Sequence, residues 1–293
     1  MQPPADMPDF EAALPQRRLF ASTPGLSAWQ RAVGVLALAA IMVYAMLAGW
    51  LWLRQEQLIF HPQPLPAEHR FDLGADVQEL TLDVPGATLD ALWLRLPHPR
   101  GVVFFLHGNN ANLASWFVHP EFFRHANYDL FMIDYRGYGK SSGHIGSEAE
   151  LHADVRAAWD RIAPRYAGLR RVVYGRSLGT DLAAALSAEL QPELTVLVSP
   201  YRSMVALAHD NYPWVPSALL RYPLRTDAAL AQVQSPVLLI HGDQDRLIPP
   251  RHSEELLARA PNARLLLVPG AGHGDIHEFD TYLQGLRSAL DGL

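Results

Sequence analysis

The sequence predicts an α/β domain, a mostly parallel central sheet with helices on both faces, preceded by one N-terminal transmembrane helix. Three observations carry this prediction. Short runs rich in Val, Ile, Leu and Phe recur at residues 102–106, 128–133, 171–174, 194–198, 237–240 and 265–268, each bounded by Gly, Pro or Asp, as strands buried on both faces are. Helix-like segments stand between them, over 113–125, 148–162, 178–190, 251–260 and 276–290, and strands alternating with helices build parallel sheets. Residues 32–53 carry no charge over 22 consecutive positions, and about 20 apolar residues cross a bilayer as a helix.

In chain order, residues 1–31 combine prolines and small residues with Asp6, Asp9 and Glu11 ahead of Arg17 and Arg18, the composition of a flexible tail. The run at 32–53 is longer than the ~7–15 apolar residues of a cleaved leader. It therefore reads as a retained anchor, with Trp29, Trp50 and Trp52 where ring systems favour the membrane interface. Arg17, Arg18 and Arg31 precede the span and Arg54 and Arg70 follow it, so positive-inside bias puts the N-terminus in the cytoplasm and the following domain outside the cell membrane. Residues 54–70 read as a linker in which His61-Pro-Gln-Pro-Leu-Pro66 is extended and stiff, holding the domain just off the membrane. The domain itself spans 71–293 and opens with an antiparallel hairpin, 77–84 and 88–96 around Pro85-Gly-Ala87, at the sheet's edge. Between the strands at 194–198 and 237–240, residues 201–234 form a small cap. Its Tyr201, Tyr212 and Trp214 are candidates to line an acyl-chain pocket, against the plainer reading that these rings pack the insertion onto the sheet.

A net charge of -6 argues against the basic surface that holds nucleic acid by phosphate neutralisation, so no nucleic-acid partner is expected. The chain has no cysteine, which excludes disulfides, thiolate metal sites and a cysteine nucleophile. Its partners are expected to be the membrane, through one helix, and a small-molecule or lipid ester.

Ligand sites in open α/β sheets lie beyond the carboxyl ends of the strands. After the run at 171–174 comes Gly175-Arg-Ser177-Leu-Gly179, followed at once by a helix-like segment. This is Gly-x-Ser-x-Gly in strand-turn-helix context, where a serine sits on a turn so sharp that the flanking positions have no room for side chains. The loop after 102–106 reads His107-Gly-Asn109-Asn110. Acyl transfer develops negative charge on a carbonyl oxygen, and the backbone amides of Leu178 and Asn109 are the expected donors to it. His107 reads as a structural hydrogen-bonder. A third loop, His241-Gly-Asp243-Gln-Asp245, offers two carboxylates that could orient a histidine and stabilise its imidazolium. A fourth, Pro269-Gly-Ala-Gly-His273-Gly274, offers the general base, with His277 as a rival expected inside the last helix.

Together these loops resemble the α/β-hydrolase superfamily, and within it the branch of single-span, membrane-anchored serine hydrolases that includes depalmitoylase-like and lysolipid-hydrolysing members and is often grouped with serine aminopeptidases. The resemblance runs from Glu56 to the C-terminus and rests on Glu56-Gln-Gln-Leu-Ile-Phe-His-Pro62, His107-Gly-Asn109, Asp134-Tyr-Arg-Gly-Tyr-Gly-Lys-Ser141, Gly175-Arg-Ser-Leu-Gly179, His241-Gly-Asp-Gln-Asp245 and Gly272-His273. It implies the α/β-hydrolase fold and a triad of Ser177 as nucleophile, Asp245 rather than Asp243 as the orienting acid, and His273 as base. It also implies a structural rather than catalytic role for the Asp134 segment. The chain departs from the pattern at Asn109-Asn-Ala-Asn112, where relatives commonly carry a glycine soon after the first asparagine. The expected reaction is hydrolysis of a carboxylic ester or thioester, of lipid-like or acylated substrates, through an acyl-enzyme, with no metal or organic cofactor. The alternatives are a serine exopeptidase on the same triad, which would need an acidic grip on the substrate amine, and a non-catalytic membrane-anchored binding protein.

Overall fold

The computed structural model describes residues 26–293; of the tail expected over 1–31, residues 1–25 lie outside the described residues. The chain divides into two units, Met1–Leu47 and Ala48–Leu293. In the first begins helix α1 (Ala28–Leu53), which starts four residues ahead of the uncharged run and continues into the second unit. Its start is set by a capping box, Gln30 N donating to Ser27 Oγ at 3.3 Å and Ser27 N to Gln30 Oε1 at 2.8 Å. With a mean hydropathy of 2.3 and no buried residue, α1 is long and apolar enough to cross a membrane.

The second unit begins with a short helix, α2 (Gln55–Ile59), and then an extended segment. The expectation of a spacer over residues 54–70 is corrected here, because this segment is part of the fold. His61 and Pro62 pair in parallel with Asn110 and Ala111, and Phe60 is buried edge-on to Tyr222 at 5.2 Å. The reason lies in the proline spacing. Prolines at every second position, 62, 64 and 66, strip the N–H groups from one side of an extended chain and leave those of His61, Gln63 and Leu65 on the other. These three donate to the carbonyls of Asn109 (2.8 Å), Ala111 (3.2 Å) and Gly139 (2.7 Å).

The hairpin is β1 (Val77–Val84) and β2 (Ala87–Leu94), turning at Gly86 with φ +80°. There follow β3 (Gly101–Leu106), α3 (Leu113–Trp116), α4 (Pro120–Ala126), β4 (Asp129–Ile133), α5 (Glu148–Ile162), β5 (Arg170–Arg176), α6 (Gly179–Leu190) and β6 (Leu194–Val198). The cap segment carries α7 (Met204–Asn211) and α8 (Thr226–Leu230), and the chain ends with β7 (Val237–Gly242), α9 (Arg251–Leu257), β8 (Ala263–Val268) and α10 (Asp280–Asp291). The sheet runs β1-β2-β4-β3-β5-β6-β7-β8, with β2 antiparallel to both its neighbours and every later pairing parallel. This is the α/β-hydrolase fold that the motifs imply.

Each central strand is buried on both faces because its side chains alternate between two cores. Val102, Phe104 and Leu106 of β3 join the core under α5, α6 and α9, whereas Val103 and Phe105 join the one under α4 and α10. Two helices differ from expectation. The one expected over 113–125 breaks into α3 and α4, because Pro120 has no N–H to continue a helix and instead starts one, after His119 at φ +57°. The last begins only at Asp280, and His277 lies in a separate 3-10 turn, Ile276–Glu278, outside it.

Candidate active site

Ser177 stands between β5 and α6 with φ +51°, a left-handed conformation costly for any residue but glycine. The turn is held by Ser177 N donating to Val198 O (2.9 Å) and Thr180 N to Ser177 O (3.0 Å). The flanking glycines are obligatory. A Cβ at Gly175 would strike the carbonyl oxygen of Gly179, and one at Gly179 that of Leu106. The serine Oγ is therefore aimed out of the sheet's carboxyl edge.

His273, in the loop after β8, brings Nε2 to 3.0 Å from Ser177 Oγ and Nδ1 to 2.8 Å from Asp245 Oδ2. Asp245 is anchored in turn, its Oδ1 accepting from the amides of Leu247 (3.0 Å) and Ile248 (2.9 Å). Burial pushes its carboxyl up, but hydrogen bonds from His241 and His273 and the Ile248 amide outweigh burial and hold it well below the usual carboxylate range. An ionised Asp245 keeps the proton on Nδ1 of His273, so that Nε2 accepts from the serine hydroxyl. The two rivals point elsewhere. Asp243 accepts from Gly270 N at 2.8 Å, and Nδ1 of His277 faces Arg176 at 3.3 Å.

The amides of Leu178 and Asn109 donate no hydrogen bond among the described residues. Asn109 and Ser177 line the same cavity. Behind them the Asp134–Ser141 segment is structural. Asp134 accepts from Leu113 N at the start of α3 (3.0 Å), Tyr135 donates to His107 O (2.9 Å) and Tyr138 to Asn109 O (2.6 Å). His107 is fully buried, with Nδ1 2.7 Å from Gly108 O.

A cavity of about 500 Å³ opens beside Ser177, walled by Phe105, Trp116, Phe122, Tyr174, Leu283 and Leu286. It lies on the α4 and α10 side of the sheet, and this corrects the expectation for the cap. Tyr201 is buried beneath the elbow, its hydroxyl donating to Leu178 O at 3.2 Å, whereas Tyr212 and Trp214 are exposed by 57% and 48%, and none of the three lines the cavity. Of the three rings, Tyr201 alone is packed into the core, and Tyr212 and Trp214 stand exposed on the surface.

Two residues of this site were not singled out in the sequence. Arg176, the variable residue before the serine, donates from one nitrogen to the carbonyls of His273 and Gly274, both at 3.1 Å, and stacks 5.3 Å over Trp116. His241, at the end of β7, lies 3.3 Å from Asp245 Oδ2 and is fixed by Ser253 Oγ (2.6 Å) and Ile248 O (2.8 Å). The one available signal for His241 was its spacing of four from Asp245.

The chain matches the family described as serine aminopeptidase, S33, over residues 97–224, and the alpha/beta hydrolase fold over 197–280. It is 32% identical over 258 residues to an uncharacterized protein of Mycobacterium tuberculosis, across 84% of this chain and 89% of that one. It is 33% identical over 212 residues to alpha/beta hydrolase domain-containing protein 17C of Xenopus tropicalis, across 70% of this chain and 66% of that one. Among solved structures, an esterase of Pyrococcus furiosus superposes with a TM-score of 0.64 at 20% identity, covering 80% of this chain and 97% of that one.

Proposed function

The chain belongs to the α/β-hydrolase family and is a hydrolase, and from that premise we propose that it is a serine hydrolase cleaving carboxylic esters or thioesters through an acyl-enzyme. The observation that carries the proposal is the continuous relay from Ser177 Oγ to His273 (3.0 Å) to Asp245 (2.8 Å) on a strained elbow. His273 takes the serine proton as Oγ attacks the substrate carbonyl, and Asp245 stabilises the imidazolium. The amides of Leu178 and Asn109 receive the developing oxyanion, each such donor supplying on the order of 3 kcal/mol. His273 then protonates the leaving group, and water releases the acyl chain by the same route in reverse.

The apolar cavity supports an acyl chain, so lipid-like or acylated molecules are the proposed substrates. Among the described residues no acidic side chain lines it, and an exopeptidase would need one to hold the substrate's amine. The catalytic unit is proposed to face outside the cell membrane, anchored by α1 with a cytoplasmic N-terminus, on the arginine bias across the span.

The first test is labelling with a fluorophosphonate, which needs an activated serine, followed by turnover of p-nitrophenyl esters of rising chain length. Labelling and turnover in the wild type, both lost in Ser177→Ala, are the expected result. Folded wild type that neither labels nor turns over any ester would favour the non-catalytic binding protein.

A further inference from the structure

The stretch Glu56-Gln-Gln-Leu-Ile-Phe-His-Pro62, with the alternate prolines that follow it, has no part in the triad or the cavity wall. Its position in the fold gives it one. Four hydrogen bonds join it to the loop Asn109–Asn112, and a fifth, from Tyr138, holds the loop itself. The backbone of His61 donates to Asn109 O (2.8 Å) and that of Gln63 to Ala111 O (3.2 Å). The side chain of Asn109 donates to Ile59 O (2.9 Å), that of Asn112 donates to Gln63 O (2.8 Å), and Tyr138 donates to Asn109 O (2.6 Å). The first four come from or go to residues 59–63, and Tyr138 closes the set.

The loop needs such support. Ala111 has φ +64°, a conformation that favours glycine. Its pairing partner in the parallel register is Pro62. A strained non-glycine residue persists where its surroundings over-determine it. Around Ala111 they do so through the side chains of Asn109 and Asn112 and the strand laid alongside.

Both the carbonyl and the side chain of Asn109 are thus tied down, while its amide donates to nothing among the described residues. We propose that residues 59–63, with Asn109 and Asn112, act as a positioning clamp that fixes the Asn109 amide toward the carbonyl oxygen of a substrate on Ser177. This rests on the serine-hydrolase reading above. Backbone donors stabilise an oxyanion only when they are held in place before it forms, so the clamp acts on kcat rather than on substrate affinity. It also makes the segment that follows the membrane-spanning helix a working part of the site.

The test uses the full chain in detergent or nanodiscs and reads two things, ester kinetics and hydrogen–deuterium exchange of the peptide covering residues 107–116. Asn109→Ala removes the donor to Ile59. Asn112→Ser keeps an acceptor that can cap Ala114 N, which Asn112 caps at 3.0 Å, but cannot reach Gln63. Gln57→Ala, on the exposed side of the same segment, is the control. The expected result is faster exchange of the 107–116 peptide in both asparagine variants, with kcat about 10- to 100-fold lower and KM within about twofold, and no change in either reading for the control. Unchanged exchange overturns the clamp whatever the activity. Faster exchange with full kcat overturns its role in positioning the amide. If no form of the protein turns over esters, exchange still decides whether the clamp holds the loop, and it is the hydrolase mechanism that fails.

Discussion

Arg176 fills the position that Gly-x-Ser-x-Gly leaves open, yet its guanidinium spans from the nucleophile's strand to the base's loop, holding the carbonyls of His273 and Gly274. Without it, the loop carrying His273 keeps its Asp245 contact but loses the anchor on its own backbone. Arg176→Ala is expected to lower kcat about 10- to 100-fold, with a smaller change in KM and fluorophosphonate labelling slowed in parallel. Arg176→Lys should recover little, because an ammonium lacks the planar fork; full recovery would mean that charge rather than geometry matters there. A second residue, Asp90 on β2, is buried with neither carboxylate oxygen hydrogen-bonded. Burial first, then the charges of Glu79 and Asp134, push its carboxyl up to about 7, against the pull of Lys140. A folded pKa above the unfolded one means that the stability held by the protonated form is complete below pH ~4 and is lost as pH rises toward 7. Asp90→Asn should therefore raise Tm at pH 8 by about 2–4 °C per kcal/mol relieved and change it little at pH 4, as thermal melts at both values would register. The proposed Ser177 and His273 were legible because each sits in a glycine-rich loop at the end of an apolar run, whereas the choice of Asp245 over Asp243 came from the family resemblance. Arg176 and Asp90 were not, since their roles depend on partners far away in the chain.

At the scale of elements, five of the inter-strand pairings follow from apolar runs of four to six residues, and these were readable because burial on both faces of the central strands leaves few polar positions to confuse the pattern. The cavity beside Ser177 was assigned to the cap for a related reason. An apolar helix face reads the same whether it covers a core or lines a cavity, so the cap's aromatics and the residues of α10 could not be told apart by composition. In the fold α10 lays Leu283 and Leu286 along the cavity beside Tyr282, whose hydroxyl lies 2.8 Å from that of Tyr174. Leu283 is only partly buried, so Leu283→Trp can enlarge into the cavity without the full penalty of overpacking a core. It is expected to cut kcat/KM for decanoate esters by about tenfold or more, equivalent to ~1.4 kcal/mol, and to leave acetate esters within about twofold. Tyr212→Ala and Trp214→Ala should leave the whole chain-length profile unchanged. A profile that shifts with the cap variants and not with Leu283→Trp would return the acyl site to the cap.

For the whole molecule, the boundary that matters is where the apolar helix α1 stops and the folded domain starts. The proline-rich composition of residues 61–66 suggested a spacer, because composition records stiffness but not which side of an extended chain keeps its donors. In the fold the first side-chain hydrogen bonds into the domain come from Gln55, which donates to Leu219 O (2.9 Å) and accepts from Arg221 N (2.6 Å). Burial of Phe60 adds about 2 kcal/mol, and the backbone bonds of His61, Gln63 and Leu65 add roughly 1 kcal/mol each. Their sum approaches half of the ~5–15 kcal/mol net stability of an ordinary domain. A chain truncated to begin at Arg54 should therefore be soluble, melt in one cooperative step and keep the ester activity of the full protein in detergent. One begun at Ala67, only thirteen residues later, should melt at least ~10 °C lower or fail to fold, and any folded fraction should have lost kcat, since the support of the Asn109 loop is gone. Equal melting temperatures for the two truncations would mean that residues 55–65 only lean on the domain. A longer chain that is stable but inactive would instead mean that α1 itself is required for turnover.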